Sequence, residues 1–169
     1  MHEIETARAR LRPIAPADLD AIHALWADAD VRRYLWDDEV IPRDLAASAI
    51  ERSVRQFAEE GHGLWLARPY GGDELIGFCG FWYFHDPPQL ELLYGVAPTH
   101  WNRGMATELA CAMLQHGFGH LGFQRIIGST DAPNTASARV MTKAGMRFDR
   151  RENEHEKETV FFVIDVQKS

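Results

Sequence analysis

The sequence predicts one domain of mixed α/β structure, of the α+β type, that covers residues 1–169. A chain of this length can bury a sizeable core within one domain. In its first half, short apolar runs alternate with turn signals, which is typical of an antiparallel meander. In its second half, strand patterns alternate with helical patterns, which predicts parallel pairing of those strands.

The N-terminal third is predicted to contain one strand and two helices. Residues 8–14 alternate in polarity and indicate an edge strand, where Pro13 is tolerated because it has no N–H to donate. Residues 15–18 open a helix with one apolar face. A second helix is predicted over residues 42–61, since proline favours its start and glycine its end. Residues 34–38 form an aromatic and acidic loop between the two helices.

The remaining elements complete the alternation. Strands are predicted at residues 64–67, 75–84 and 90–96, with turns at 69–73 and 85–88. Helical patterns follow at residues 106–118 and 134–144, and strand patterns at 124–129, near Phe148 and at 160–166. No repeat, low-complexity tract or linker interrupts this order.

Composition excludes several classes of protein. The formal net charge of −7 argues against a general nucleic-acid binder, which needs a basic surface. It mildly favours a cationic partner, although solubility alone is an alternative explanation. No apolar run approaches the ~20 residues that span a bilayer, and no signal peptide is recognised. Cys79 and Cys111 are expected to be free thiols, so the predicted location is the cytoplasm.

The turn after the strand at residues 90–96 is a candidate phosphate-binding site. A helix N-terminus leaves backbone N–H groups without partners and carries partial positive charge. Gly104 lets a ligand approach the backbone, Ala106 is small for the same reason, and Arg103 adds a full charge. An ordinary strand-to-helix connection is the alternative. Neither a P-loop pattern nor a dinucleotide-binding glycine pattern is present.

A second segment follows the strand at residues 124–129. Asn134 is a good N-cap for the next helix, and Ser137 can help to satisfy its first turn. Arg139, Lys143 and Gly145 come later in the same helical pattern. A plain capped helix with a glycine stop is the alternative interpretation.

Together these two segments resemble the GNAT acetyltransferase superfamily, and most closely its RimJ/RimL-like branch. The branch typically has a Tyr near the end of the fourth strand and then Trp-Gly-Lys-Gly-x-Ala-Thr-Glu. The matching residues here are Tyr94, Trp101, Asn102, Arg103, Gly104, Met105, Ala106, Thr107 and Glu108. The branch also has Asn-x-x-Ser and Lys-x-Gly-Phe, matched by Asn134, Ser137, Lys143, Gly145 and Met146. The resemblance covers nearly the whole chain. It implies a central, mixed, mostly antiparallel sheet of six to seven strands, flanked by about four helices.

The resemblance implies that acetyl-CoA is the cosubstrate and lies in a gap between the fourth and fifth strands. Its pyrophosphate would meet the N–H groups of the loop at the start of the helix, and its pantetheine arm would pair with the end of the fourth strand. N–H groups of that strand would also hold the thioester oxygen. The implied cofactor-binding residues are Leu93, Tyr94, Gly95, Val96, Trp101, Asn102, Arg103, Gly104, Met105, Ala106, Thr107, Asn134 and Ser137.

The implied reaction is direct attack of a neutral amine on the thioester in a ternary complex. Glu91 is the first candidate for the general base, acting directly or through water, and a solvent-facing carboxylate without a role is the alternative. His85 and Asp86 are weaker candidates. Many family members protonate the leaving thiolate from a Tyr whose position is Met141 here. Tyr94, water or unprotonated departure therefore remain open.

The amine acceptor is expected to bind between the first two helices, their loop and the turn at residues 85–88. Trp36, Phe84, His85 and Asp86 are the predicted acceptor-binding residues, because aromatic and acidic side chains suit a cationic amine. Core packing is the alternative for the aromatic ones. The acceptor is a protein or peptide N-terminus or a small cationic amine, and the branch favours the first.

Three further expectations complete the prediction. The histidines show no metal-ligand spacing, so no metal is expected. Homodimers are common in the family, so the resemblance admits a homodimer. The alternative function is a non-catalytic acyl-CoA sensor or a structural module, which Met141 and Asn102 keep open because both depart from the family pattern.

Overall fold

The computed structural model describes residues 2–168, which form eight β-strands and five α-helices. The strands are β1 (Ile4–Glu5), β2 (Ala9–Pro13), β3 (Leu64–Pro69), β4 (Gly77–Phe84), β5 (Gln89–Val96), β6 (Arg125–Asp131), β7 (Arg147–Glu154) and β8 (Lys157–Asp165). The helices are α1 (Leu19–Ala27), α2 (Ala29–Arg32), α3 (Arg43–Glu60), α4 (Met105–Gly119) and α5 (Thr135–Lys143). The predicted α/β class is therefore confirmed.

The strands form two sheets rather than one. The first sheet has the order β1-β2-β3-β4-β5, and the second has the order β6-β8-β7. Every strand pair within residues 2–168 is antiparallel, so the predicted parallel pairing in the second half is wrong. The reason is a hairpin: His155 and Glu156 both adopt positive φ and join β7 to β8 in a two-residue turn.

The gap between the two sheets positions the site. β5 pairs along its whole length with β4, from Gly77 opposite Val96 to Phe84 opposite Gln89. Its other edge faces β6, but within the described part of the chain no ladder of hydrogen bonds joins the two strands. The edge of β5 therefore presents backbone groups that can pair with a bound molecule.

The core has two parts, one on each face of the first sheet. Side chains alternate along a strand, so Trp65 packs with the cluster around α4 while Leu66 packs with the cluster beneath α1 and α3. Leu109 and Met113 of α4 are fully buried in the first cluster. Trp26 of α1 anchors the second cluster.

The N-terminal elements differ from the prediction in three places. The predicted edge strand is β2, but β1 pairs with its outer side, so β2 is internal. Residues 16–18 form a short 3-10 turn before α1. The short helix α2 was not predicted, because its four residues are too few for a helical pattern to emerge. Gly61, with a φ of 81°, ends α3 as predicted.

His116 should make the stability of the fold depend on pH. Its side chain lies in α4 with its ring 4.9 Å from the ring of His120 and 5.9 Å from that of His2. Burial, followed by the charges of His120 and His2, lowers the pKa of His116 to about 4. Below the usual histidine pKa of about 6.5, the unfolded chain therefore binds more protons than the folded one, and stability falls as the pH drops toward 4.

The test is urea unfolding at pH 7.5 and pH 5. Between these values, the wild type should lose on the order of 1–2 kcal/mol more unfolding free energy than His116→Leu, which cannot take up the proton. His23→Leu serves as a control, because it removes a histidine while leaving the ring cluster of His116, His120 and His2 intact. Equal losses in wild type and His116→Leu would assign the pH dependence to other groups.

Candidate active site

A cleft of about 510 Å³ lies where β5 and β6 separate. Its walls come from β5, the following loop, the first turn of α4, the end of β6, one face of α5 and the segment after α1. Of the thirteen predicted cofactor-binding residues, the structure brings twelve to this cleft. These are Leu93, Tyr94, Gly95, Val96, Trp101, Asn102, Gly104, Met105, Ala106, Thr107, Asn134 and Ser137.

The loop before α4 exposes the start of that helix. Asn102 and Gly104 adopt left-handed conformations, with φ of 60° and 75°, which asparagine and glycine tolerate best. Gly104 is the N-cap, and it has no side chain that could cap the first backbone N–H groups of α4. Met105 and Ala106 line the cleft directly. The uncapped N–H groups and the helix dipole therefore favour an anion at this point.

The N-terminal segment holds this loop in place. Arg8 donates from Nη1 to the carbonyl oxygen of Arg103 at 2.8 Å and from Nε to Glu108 at 2.7 Å. Thr6 donates to the same carboxylate at 2.6 Å. Arg103 is the exception among the predicted cofactor residues: its side chain is exposed and is not part of the lining.

The cleft is also lined by three cationic side chains that were not predicted to belong to it from the sequence. Arg139 and Lys143 lie on one face of α5, four residues apart, and Arg33 follows α2. The signal for the first two was available, because residues 136, 139, 140 and 143 have helical spacing and all line the cleft. Arg33 had no such signal, since only the tertiary fold brings it to this wall.

Asn134 caps α5, as predicted. Its side-chain oxygen accepts a hydrogen bond from the backbone N–H of Ser137 at 3.3 Å. Ser137 in turn contacts Tyr94 of β5, whose hydroxyl lies 2.9 Å from the carbonyl oxygen and 2.8 Å from the hydroxyl of Ser137. This contact links β5 to α5 beneath the cleft.

Tyr94 and Met141 decide which groups can supply a proton here. Burial raises the pKa of Tyr94 to about 12, so its hydroxyl stays protonated at neutral pH. Met141 is 1% exposed and sits in the core, where its sulfur packs closely against Gly128. A thioether has no proton to donate. Of these two residues, only Tyr94 can act as an acid.

Glu91 is buried, which excludes the alternative of a solvent-facing carboxylate. Its side chain is 1% exposed and shares a face of β5 with Leu93. Its Oε2 accepts a hydrogen bond from Gln89 Nε2 at 2.8 Å and lies 2.7 Å from His85 Nε2. Its Oε1 accepts a hydrogen bond from the hydroxyl of Ser129. Ser129 lines the cleft, whereas Glu91 lies behind it.

The predicted acceptor-binding residues Trp36, Phe84, His85 and Asp86 do not line the cleft. Trp36 packs against Trp26, with ring centroids 5.3 Å apart, in the cluster beneath α1 and α3. Phe84, His85 and Asp86 lie at the end of β4 and in the next turn, and His85 reaches the site through Glu91. Five residues of the segment after α1 line the cleft: Asp30, Val31, Arg33, Tyr34 and Leu35.

Across residues 2–168, no three or more His, Cys, Asp or Glu side chains are grouped so that they could hold a metal ion. None of the helices described has the length and apolar character required to cross a bilayer. Cys79 and Cys111 are free, as predicted.

Comparison with known proteins agrees with this geometry. The profile described as "Acetyltransferase (GNAT) domain" matches residues 8–147. The uncharacterized N-acetyltransferase YoaA of Bacillus subtilis is 30% identical over 145 residues, which cover 85% of this chain and 82% of YoaA.

Solved structures share the fold. The GNAT-family acetyltransferase of Bacillus anthracis superposes with a TM-score of 0.80 at 24% identity, over 97% of this chain and 98% of that one. The ribosomal alpha-N-protein acetyltransferase RimL, in complex with coenzyme A, gives a TM-score of 0.81 at 12% identity, over 98% of each chain. The chain therefore belongs to the GNAT acetyltransferase family, whose enzymes transfer an acyl group from acetyl-CoA.

Proposed function

We propose that this enzyme moves an acetyl group from acetyl-CoA to a primary amine by direct attack in a ternary complex. The observation that carries the proposal is the cleft between β5 and β6. It combines an uncapped helix N-terminus, an unpaired strand edge and a route to a buried carboxylate. Each of these three features suits a different part of the reaction.

The phosphates of acetyl-CoA would bind at the start of α4. The loop from Trp101 to Ala106 offers backbone N–H groups, and Gly104 and Ala106 leave room for a close approach. Arg139 and Lys143 supply positive charge from the facing helix. In a chain of net charge −7, cations gathered on one cleft wall support a polyanionic ligand.

The pantetheine arm would lie along the free edge of β5. An extended chain with amide groups can pair with an unpaired strand edge, as an added strand does. Residues Leu93 to Val96 line the cleft along this edge. Their N–H groups would also hold the thioester oxygen, which gains negative charge as the amine attacks.

Glu91 would act as the base for the incoming amine, because most alkyl amines are protonated at neutral pH. Its hydrogen bonds from Gln89 and Ser129, together with its contact with His85, fix the carboxylate in one orientation. Tyr94 is the candidate acid for the leaving thiolate, because its hydroxyl stays protonated and lines the same cleft.

A peptide or protein N-terminus is the acceptor that we propose first, and a small cationic amine is the alternative. Asp30 of α2 lines the cleft, and its carboxylate suits an ammonium group. The ring of Tyr34 also lines the cleft, but the guanidinium of Arg33 already lies over it, 5.4 Å from the ring centroid. We also propose that the chain belongs to the RimJ/RimL-like branch, on the motifs around Tyr94 and Asn134 and the fold shared with RimL. The two free cysteines support a cytoplasmic location.

A non-catalytic acyl-CoA sensor is the second candidate function. The buried thioether of Met141 favours it, because this position carries no proton for the thiolate. A sensor would bind acetyl-CoA as the enzyme does but would release no thiol when an amine is present. Turnover therefore separates the two functions.

The proposal is tested by acetyl-CoA binding and by thiol release with a panel of amines. Calorimetry should give micromolar binding, on the order of typical substrate constants. Loss of both cations in Arg139→Ala/Lys143→Ala should weaken binding by about 100-fold or more, since hydrogen bonds to charged groups contribute ~1.5–3 kcal/mol each. Arg55→Ala on the exposed side of α3 is the control and should bind normally.

Two outcomes would contradict the proposal. If acetyl-CoA produces no heat and no shift in the unfolding temperature, the cleft is not a cofactor site. If acetyl-CoA binds but neither peptides with free N-termini nor polyamines stimulate thiol release, the sensor function is correct and the transferase function is not.

A further inference from the structure

Glu91 cannot take a proton directly from an amine in the cleft. Its side chain is 1% exposed and does not form part of the cleft lining. Proton transfer needs heavy atoms within about 2.6–3.2 Å, or a single bridging group. If Glu91 is the base, another group must stand between it and the amine.

Ser129 occupies this intermediate place. It lies on β6, is half-buried and lines the cleft, and its hydroxyl donates a hydrogen bond to Glu91 Oε1. The oxygen of Ser129 is also 3.4 Å from His85 Nε2, which lies 2.7 Å from Glu91 Oε2. One hydroxyl thus contacts both the cleft and the buried pair.

The two-sheet architecture holds this arrangement. Glu91 is fixed in the first sheet opposite Trp82 of β4, and Ser129 is fixed in the second sheet opposite Phe161 of β8. Their hydrogen bond crosses the gap in which the two strands have no ladder. The neighbouring Thr130 also lines the cleft, although side chains alternate along a strand.

We propose that Ser129 relays a proton from the acceptor amine to Glu91, an inference that rests on the proposed acetyltransferase function. The ammonium gives one proton to the oxygen of Ser129 while the Ser129 hydroxyl proton passes to Glu91 Oε1. The neutral nitrogen forms a bond with the acetyl carbon, and the carbon–sulfur bond breaks. The second proton leaves the nitrogen and ends on the sulfur. Glu91 then returns its proton to solvent, so the amide and the free thiol are the only organic products.

The relay makes Ser129 part of the same unit as Glu91. Residues that act as a unit give strongly non-additive effects when both are removed. A merely structural serine would instead lower stability or cofactor affinity, and its loss would add to that of Glu91.

The test compares Ser129→Ala, Glu91→Gln and the double variant with the wild type. Ser129→Ala should lower kcat by about 100-fold, within the range of general-base effects, with an unchanged calorimetric affinity for acetyl-CoA. The double variant should be no slower than Glu91→Gln. Ser129→Thr, which keeps the hydroxyl on a strand, should recover most of the lost rate. Ser48→Ala, which removes an exposed hydroxyl of α3, is the matched control and should leave kcat unchanged.

The outcomes separate the two proposals. If the wild type is active and Ser129→Ala keeps its kcat, or if the two losses add in the double variant, the relay is overturned and the transferase function stands. A parallel loss of acetyl-CoA affinity or of unfolding temperature in Ser129→Ala would assign the residue a structural role. If the wild type binds acetyl-CoA and releases no thiol with any amine, the function itself fails and the relay with it.

Discussion

Replacing Glu91 with glutamine should lower kcat by about 10²- to 10⁴-fold, the usual contribution of a general base. Glutamine has nearly the same shape but cannot accept the proton from the amine. Steady-state rates of thiol release across a range of pH values measure the loss. The acetyl-CoA affinity should stay close to that of the wild type, because Glu91 lies outside the cleft lining.

The same substitution should also destabilise the fold modestly. Glu91 has three polar contacts, with Gln89, Ser129 and His85, whereas a glutamine amide would bring its own N–H₂ into that cluster. One mismatched buried polar contact costs about 1–3 kcal/mol. Glu51→Gln, an exposed change in α3, is the matched control for both measurements. An unchanged kcat and pH–rate profile in Glu91→Gln would remove Glu91 from the role of base.

Replacing Gly77 with alanine should both destabilise the protein and damage the cofactor site. A methyl group there would overlap the carbonyl oxygen of Gly95 and lie 3.1 Å from the Cα of Val96. Because both obstacles are backbone atoms of β5, the strand must move. Overpacking of this kind costs roughly 3 kcal/mol, which lowers the unfolding temperature of a domain this size by about 6–12 °C.

The displaced strand is the one proposed to pair with the pantetheine arm. Acetyl-CoA affinity of Gly77→Ala should therefore fall by about tenfold, which corresponds to ~1.4 kcal/mol. Gly119→Ala is the matched control, since a methyl group at Gly119 would meet no atom within 4 Å. Thermal unfolding and calorimetry measure the two effects. Normal affinity in a destabilised Gly77→Ala protein would show that the edge of β5 does not bind the cofactor.

The sequence predicted best what is encoded locally. The helix start after Gly104 and the cap at Asn134 each depend on a few adjacent residues, and each was found. The β7–β8 hairpin was missed, although its turn is also local. His155-Glu156 is not among the dipeptides that favour a two-residue turn, so nothing in the sequence signalled the reversal of the chain.

The sequence could not predict what depends on distant residues. Ser129 and Glu91 are 38 positions apart, and Arg8 and Glu108 are 100 apart. Nothing in the local pattern around Ser129 distinguishes it from an ordinary strand serine. The prediction that Trp36 binds the acceptor was wrong for a different reason. Its aromatic character suggested a ligand contact, but its large apolar surface packs against Trp26 instead.

The gap between β5 and β6 also has a mechanical consequence. Where a continuous sheet would have a ladder of backbone hydrogen bonds, side-chain contacts such as Ser129–Glu91 and Tyr94–Ser137 join the two halves. A seam of this kind opens at a lower free energy than the strands on either side of it. A molecule that fills the seam would bind the folded chain and not the unfolded one, so its concentration would add to the stability of the fold, by ~2.7 kcal/mol at a hundred times its Kd. The supply of such a ligand would thus govern how long the protein survives as well as how fast it works.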